Sequence, residues 1–235
     1  MEANYIKIIL IKELKELIKN KAFISYYVYL IIGIGIIVPI FSPFDTEGTV
    51  STMMLTLLLT PALIIPSTLV ADLFAGEKER KTLETLLGTP IDIKEMYLGK
   101  VLFVVLISIT VLMVTYILNI ITLNIVSQFI VQKWFYPFNI TANNFIWLGG
   151  VGVITFVSTF GTLVSINSKN TKTCNLLVFI SSAPIVSPLI LMLNTPLLDI
   201  NHSGVYGSSL MICSLLIFVY IALSFNKVKI LNKSR

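Results

Sequence analysis

DLFAGEKERKTLETLLGTP, residues 72–90, holds the longest unbroken run of charges, 77–81, in a chain that is otherwise mostly apolar. Glu77, Lys78, Glu79, Arg80, Lys81 and Glu84 stand here between two long uncharged runs, 50–71 and 101–126. Read as a helix, Leu83, Leu86, Leu87 and Pro90 recur at i, i+3, i+4 and i+7 and form one apolar face. Glu77 with Lys81, and Arg80 with Glu84, make i,i+4 charge pairs on the remainder. A helix so built lies on a surface or docks into a groove. Gly88 suits the residue after a helix end, Thr89 an N-cap and Pro90 a first turn, while Asp92 favours the positive end of the next helix. Two helices therefore meet near Gly88 and Thr89. Taken alone, the pattern fits a solvated loop helix between two membrane spans as well as it fits a docking element.

Working outward, hydrophobic residues fill 56% of the 235 positions and charged residues only 12%, with a mean hydropathy of +0.91. That composition excludes a soluble globular domain and points to an all-α polytopic membrane protein. Six uncharged runs follow in order: 22–41, 50–71, 101–126, 145–164, 173–193 and 204–225. Each has the ~20 residues that an α-helix needs to cross a hydrocarbon core of about 30 Å. All of the 17 Lys and Arg residues except Lys133 fall on one side of the resulting topology. The positive-inside rule then places both termini and the 72–90 stretch in the cytoplasm. The net charge of +5 is therefore a topology signal and not a nucleic-acid footprint.

Before the first run, residues 4–21 carry Ile6, Leu10, Leu14, Leu17 and Ile18 on one helical stripe, with Lys12, Lys15 and Lys19 opposite. This predicts an amphipathic helix at the membrane surface, with Glu13 intruding near its apolar arc. Acidic residues mixed into the basic region, and the lack of a small-residue cleavage site, argue against a signal peptide. On the far side, Phe129, Trp134, Phe135, Tyr136, Phe138 and Trp147 predict a loop lying along the outer surface. Pro184, Pro188 and Pro196 predict a broken or re-entrant fifth span, and with it an outer gate.

No Asp, Glu, Lys, Arg or His occurs inside the six runs, so intramembrane proton relays have no candidates. Asn119, Asn124 and Asn167 read as helix-to-helix hydrogen-bonding or interface groups. Cys174 and Cys213 lie in apolar runs and read as small hydrophobes, not as a disulfide. A single histidine, His202, leaves no metal set, and no GxxxxGK[ST] loop offers an ATP site. Energy for active transport would have to enter through another protein.

Two motifs resemble a known family, the membrane-spanning permease subunits of type 2 ATP-binding-cassette (ABC) exporters. KELKELIKNK, residues 12–21, resembles the family's N-terminal interface helix. AGEKERKTLETLLGTP, residues 75–90, is similar to its coupling-helix signature between spans two and three. The resemblance implies one transmembrane domain over 1–235, with a coupling helix at 74–88. Glu77, Lys78, Glu79, Arg80 and Glu84 would face the ATPase, and Leu83, Leu86 and Leu87 would pack the helix in place. It further implies two cytoplasmic ABC ATPase subunits holding ATP and magnesium, a second identical or homologous permease subunit, and a plasma-membrane location. On this reading the chain binds no cofactor or metal, catalyses nothing itself and has no nucleic-acid partner. The outer loops depart from larger members in lacking a sizeable domain. Two other classes remain: a membrane-embedded protease, which would need paired glutamates and histidines, and a passive immunity or sensor protein working without an ATPase.

Overall fold

The computed structural model describes residues 5–41, 52–80, 93–131, 138, 140–168, 170–194 and 202–224. Among the described residues there is no strand. Six helices are long and apolar enough to cross a membrane: Lys21–Phe41, Met54–Glu79, Lys94–Phe129, Ile140–Ser165, Thr171–Met192 and Ser203–Ile221, here spans one to six. A separate N-terminal helix, Tyr5–Lys19, precedes them.

Spans two and four are the most buried, and spans one, five and six surround them with much of their surface open. The open faces carry Tyr29 and Phe41 on span one, Leu176 and Ile180 on span five, and Ile212 and Leu216 on span six. Lipid solvates such faces as well as a protein core would, so hydrophobic burial alone does not hold the bundle together. Close backbone packing and hydrogen bonds between helices carry more of that task. Spans four and six approach so closely that a Cβ on Gly207 would lie 2.3 Å from the Leu148 carbonyl oxygen. A Cβ on Gly152 would lie 2.4 Å from that of Gly207. Only glycine fits at this crossing.

Main-chain polar groups must be satisfied within the protein, and local side chains do this where regular helix fails. Span one contains a π-helical turn at Gly33–Ile37. Span three grips it: Asn119 Nδ2 donates to Ile34 O at 3.2 Å, and Thr122 Oγ1 donates to Gly35 O at 3.2 Å. Asn119 is thus the helix-to-helix group that its type suggested, whereas Asn124 donates within its own helix, to Ile120 O.

Span five is not broken. A single helix, Thr171–Asn194, runs through both Pro184 and Pro188, while Pro196 lies outside the described residues. Pro188 deprives Pro184 O of its i+4 amide donor, and the Ser187 hydroxyl donates to that oxygen at 2.9 Å. Pro61 in span two repeats the device, with Thr60 Oγ1 donating to Leu57 O at 2.7 Å. A hydroxyl residue just before Pro188 and before Pro61 thus serves the carbonyl that each proline leaves bare; span five stays one helix, while span two passes through a turn at Leu59 between Thr52–Leu58 and Thr60–Val70.

The aromatic segment after span three also departs from expectation. Phe129 is exposed, but Phe138 is buried, with its ring centroid 5.3 Å from that of Tyr116, whose other neighbour is the edge of Trp147 at 5.4 Å. Tyr116 donates to Asn143 Oδ1 at 2.6 Å. These rings close the packing between spans three and four instead of lying on the surface; Trp134, Phe135 and Tyr136 lie outside the described residues.

The two kinds of glycine make opposite predictions. Gly207→Ala should lower the thermal midpoint in detergent by several degrees, because overpacking typically costs about 1–3 kcal/mol. Gly33→Ala, whose Cβ would meet nothing within 4 Å, should leave it unchanged or raise it slightly.

Candidate functional site

Span two continues past its apolar run as a helix. A π-helical turn, Ala71–Gly76, leads directly into Glu77–Glu79, and the helix ends at Arg80. The first residues of the 74–88 stretch are therefore the last turns of span two. Lys81 to Asp92 lie outside the described residues, and with them Leu83, Glu84, Leu86 and Leu87.

Span three belongs to a longer helix, Ile93–Val131. Thirty-nine residues at 1.5 Å each make roughly 58 Å, well beyond the hydrocarbon thickness. The overhang brings Lys100 alongside the π turn of span two. Lys100 is 1% exposed. Its ammonium forms an ion pair with Glu77, donates to Leu73 O at 2.9 Å, and sits 5.2 Å from the centre of the Phe74 ring. A buried ammonium is tolerable only when surrounded by acceptors, and these three contacts supply them.

The N-terminal helix closes the other side. It docks on span three where Gly99 removes a side chain: a Cβ there would stand 3.0 Å from Ile9 Cγ2. Ile9 and Glu13 are its buried residues, so the inward face is centred on them. Leu14 and Ile18, from the stripe expected at the membrane surface, are exposed together with Ile8 and Ile11. The helix carries two apolar faces, one spent on span three and one turned outward. Lys12 Nζ lies 3.3 Å from Glu13 Oε1, 3.5 Å from Glu16 Oε1 and 3.7 Å from Glu77 Oε1. Lys100, Glu77, Lys12 and Glu13 thus alternate in sign across three elements. Burial pushes the Glu13 carboxyl up, and Lys100 and Lys12 pull it only partly back. For Lys12, burial pulls down, but Glu13, Glu77 and Glu16 together outweigh it and its ammonium is held above the ordinary range.

The next two charged residues reach elsewhere. Glu79 Oε2 accepts from the Thr171 main-chain N–H at 3.2 Å and from its hydroxyl at 3.0 Å, at the first residue of the span-five helix. Arg80 Nη1 donates to Asp72 Oδ1 at 3.0 Å and Nη2 to Asp72 O at 3.3 Å. Gly76 lies where these meet: a Cβ on it would stand 2.9 Å from Asp72 Oδ1, 3.1 Å from Arg80 Nη2 and 3.2 Å from Thr171 Cγ2. A cavity of about 240 Å³, with Glu13, Asp72, Glu77 and Arg80 in its wall, separates the N-terminal helix from span two.

Of the residues singled out from sequence, Glu77 is drawn inward, Lys78 is half-buried, and Glu79 and Arg80 are at the surface but bonded to other spans. Lys100 and Thr171 were not singled out. Both read as ordinary loop-flanking residues; the available signal was Lys100 abutting an apolar run directly after Gly99, and Glu13 on an apolar arc. Among the described residues, no cluster of His, Cys, Asp and Glu is placed to hold a metal ion.

Six apolar spans with an N-terminal helix pinned to their charged end define a multi-pass membrane protein, and the polar contacts at that end brace its helices against one another. The family model described as "ABC-2 family transporter protein" matches residues 7–202, and the chain belongs to that family. It is a permease-type membrane component of the ABC transporters. No curated relative and no solved structure matches the chain.

Two predictions concern the buried charges. Lys100→Met should destabilise by about 3–5 kcal/mol, since it removes the buried cation nearest Glu77, and adding Glu77→Gln should recover part of the loss. Urea melts of the single and double variants measure this coupling. Glu13 makes the second. A carboxyl raised on folding binds its proton more tightly in the native state, so its contribution becomes less favourable as pH climbs from the ordinary 4.5 through the raised value. Glu13→Gln should therefore gain stability relative to the parent above that window and lose the advantage below it, as read from melting midpoints across pH.

Proposed function

We propose that this chain is the membrane-spanning subunit of an ATP-driven exporter, coupled through residues 74–88 to a separate cytoplasmic ABC ATPase. The observation that carries this reading is the connectivity of Gly76–Arg80. Through Glu77 the segment is bonded to span three and the N-terminal helix, through Glu79 to span five, and through Arg80 back to span two. A force applied next to it would reach four elements at once, which a merely solvated loop would not do.

The distribution of lysines and arginines supports a cytoplasmic position for this end of the bundle and a multi-pass location in the plasma membrane. Two permease subunits, identical or related, would enclose the pathway above two ATPases that hold ATP and magnesium. Lys78 and Glu84 then offer side chains to the ATPase, and Leu83, Leu86 and Leu87 seat the coupling helix. Glu79 and Arg80 contribute to that surface while holding spans five and two; Glu77 acts inward, on Lys100. Closure of the ATPase pair would displace the segment and change which side of the membrane the pathway faces.

A photoactivatable probe on a single cysteine introduced by Thr85→Cys, in a chain carrying Cys174→Ser and Cys213→Ser, tests this in native membranes. Mass spectrometry should identify an ABC ATPase, with a yield that changes on adding ATP. Correct insertion with a probe reachable from the cytoplasm and no ATPase captured would favour a passive membrane protein.

A further inference from the structure

An open groove of about 530 Å³ lies beside the charged segment. Its walls are Phe23 and Tyr26 from span one, Thr68 and Asp72 from span two, and Thr171 and Asn175 from span five. Two of these residues are already held. Thr171 is gripped by Glu79 through both its main-chain N–H and its hydroxyl, and Asp72 is gripped by Arg80 through both a carboxylate and a main-chain oxygen. Glu79 and Arg80 are adjacent in sequence, so neither wall can shift by much without the other unless one grip opens. Gly76, between them, leaves no room for a side chain to wedge the two walls apart.

We infer that Glu79 and Arg80 form a two-pronged clamp that sets the width of this groove, joining span five to span two at the charged end of the bundle. Each prong makes two bonds, at least one of them charge-assisted, and each grips a group on the groove wall itself. Glu79 and Arg80 are positioning residues that act through Thr171 and Asp72. Movement of the 74–88 stretch by a partner would be converted directly into a change in groove width. That last step rests on the transporter reading; the clamp does not.

The test follows the modification rate of one thiol on the groove wall, introduced by Asn175→Cys into the full chain with Cys174→Ser and Cys213→Ser. A small membrane-permeant maleimide is applied to membranes also containing the host's ABC ATPases, with and without ATP and vanadate. Without nucleotide, Glu79→Ala should raise the rate by about threefold or more, and Glu79→Gln, which keeps an oxygen acceptor, should restore most of the slow rate. The parent's rate should respond to ATP, and that of Glu79→Ala should not; a purely structural role would lower the amount of inserted protein without removing the response. Should Glu79→Ala insert poorly, Thr171→Val, which keeps the main-chain bond, decides alone by a smaller increase. Rates equal to the parent in the inserted variants would overturn the clamp. A raised rate in Glu79→Ala, with a parent indifferent to ATP, would uphold the clamp and count against the transporter reading instead.

Discussion

The charged end of the bundle depends on one ion pair, between Lys100 and Glu77, both almost wholly shielded from water. Two charges removed from solvent carry a desolvation cost that their mutual attraction offsets only when further partners are in place. Here those partners are Leu73 O and the Phe74 ring, from the π turn of span two, on the lysine side, and Lys12, from the N-terminal helix, on the glutamate side. The pair is therefore satisfied only when span two has its π turn, span three its overhang and the N-terminal helix its docked position. Each of these features would otherwise be a local liability. Together they make the ion pair specify one arrangement of the three helices.

The same economy operates along the spans, where lipid provides no donor for a main-chain carbonyl. Thr60 and Ser187 act within one turn, each supplying a hydroxyl to a carbonyl that the following proline leaves without an amide partner. Asn119 and Thr122 act between helices, on the π turn of span one. At these three sites a hydroxyl or amide side chain meets the main-chain oxygen that irregular backbone leaves bare. This accounts for the unbroken course of span five, where prolines alone argued for interruption.

How much of this was legible in the sequence follows from the range of each signal. Six spans were readable because an apolar run of membrane length has a one-dimensional signature, and the charged stretch after span two was readable because it interrupts that signature. Pairings were not. Periodicity compares residues on one helix and so offered Glu77 only Lys81, which lies outside the described residues; it could not offer Lys100, 23 positions away on another helix. Lys100 looked like a flanking lysine for the same reason: nothing in its neighbourhood encodes that Glu77 and Leu73 O await it. Glu13 was visible as an anomaly on an apolar arc, and its meaning became clear only with Lys12 and the interior of the bundle in view. Leu14 and Ile18 turn outward, as a stripe meant for the membrane surface should, but periodicity did not show that the N-terminal helix has a second inward face, centred on Ile9 and Glu13.

A run of charges is ordinarily the mark of a solvated helix face, yet consecutive residues on a helix do not share a face. Each step turns by about 100°, so residues 77, 79 and 80 point in three directions around the axis. In a soluble helix at least one direction would meet a core and a charge there would be excluded. At this end of the bundle each direction offers a polar group instead: a lysine near the start of the span-three helix, the first residue of the span-five helix, and a carboxylate eight residues back on span two itself. Glu77, Glu79 and Arg80 each find one of these. Contiguous charge at a span terminus is thus the pattern of a junction reaching several helices, and a single helical face could not have produced it.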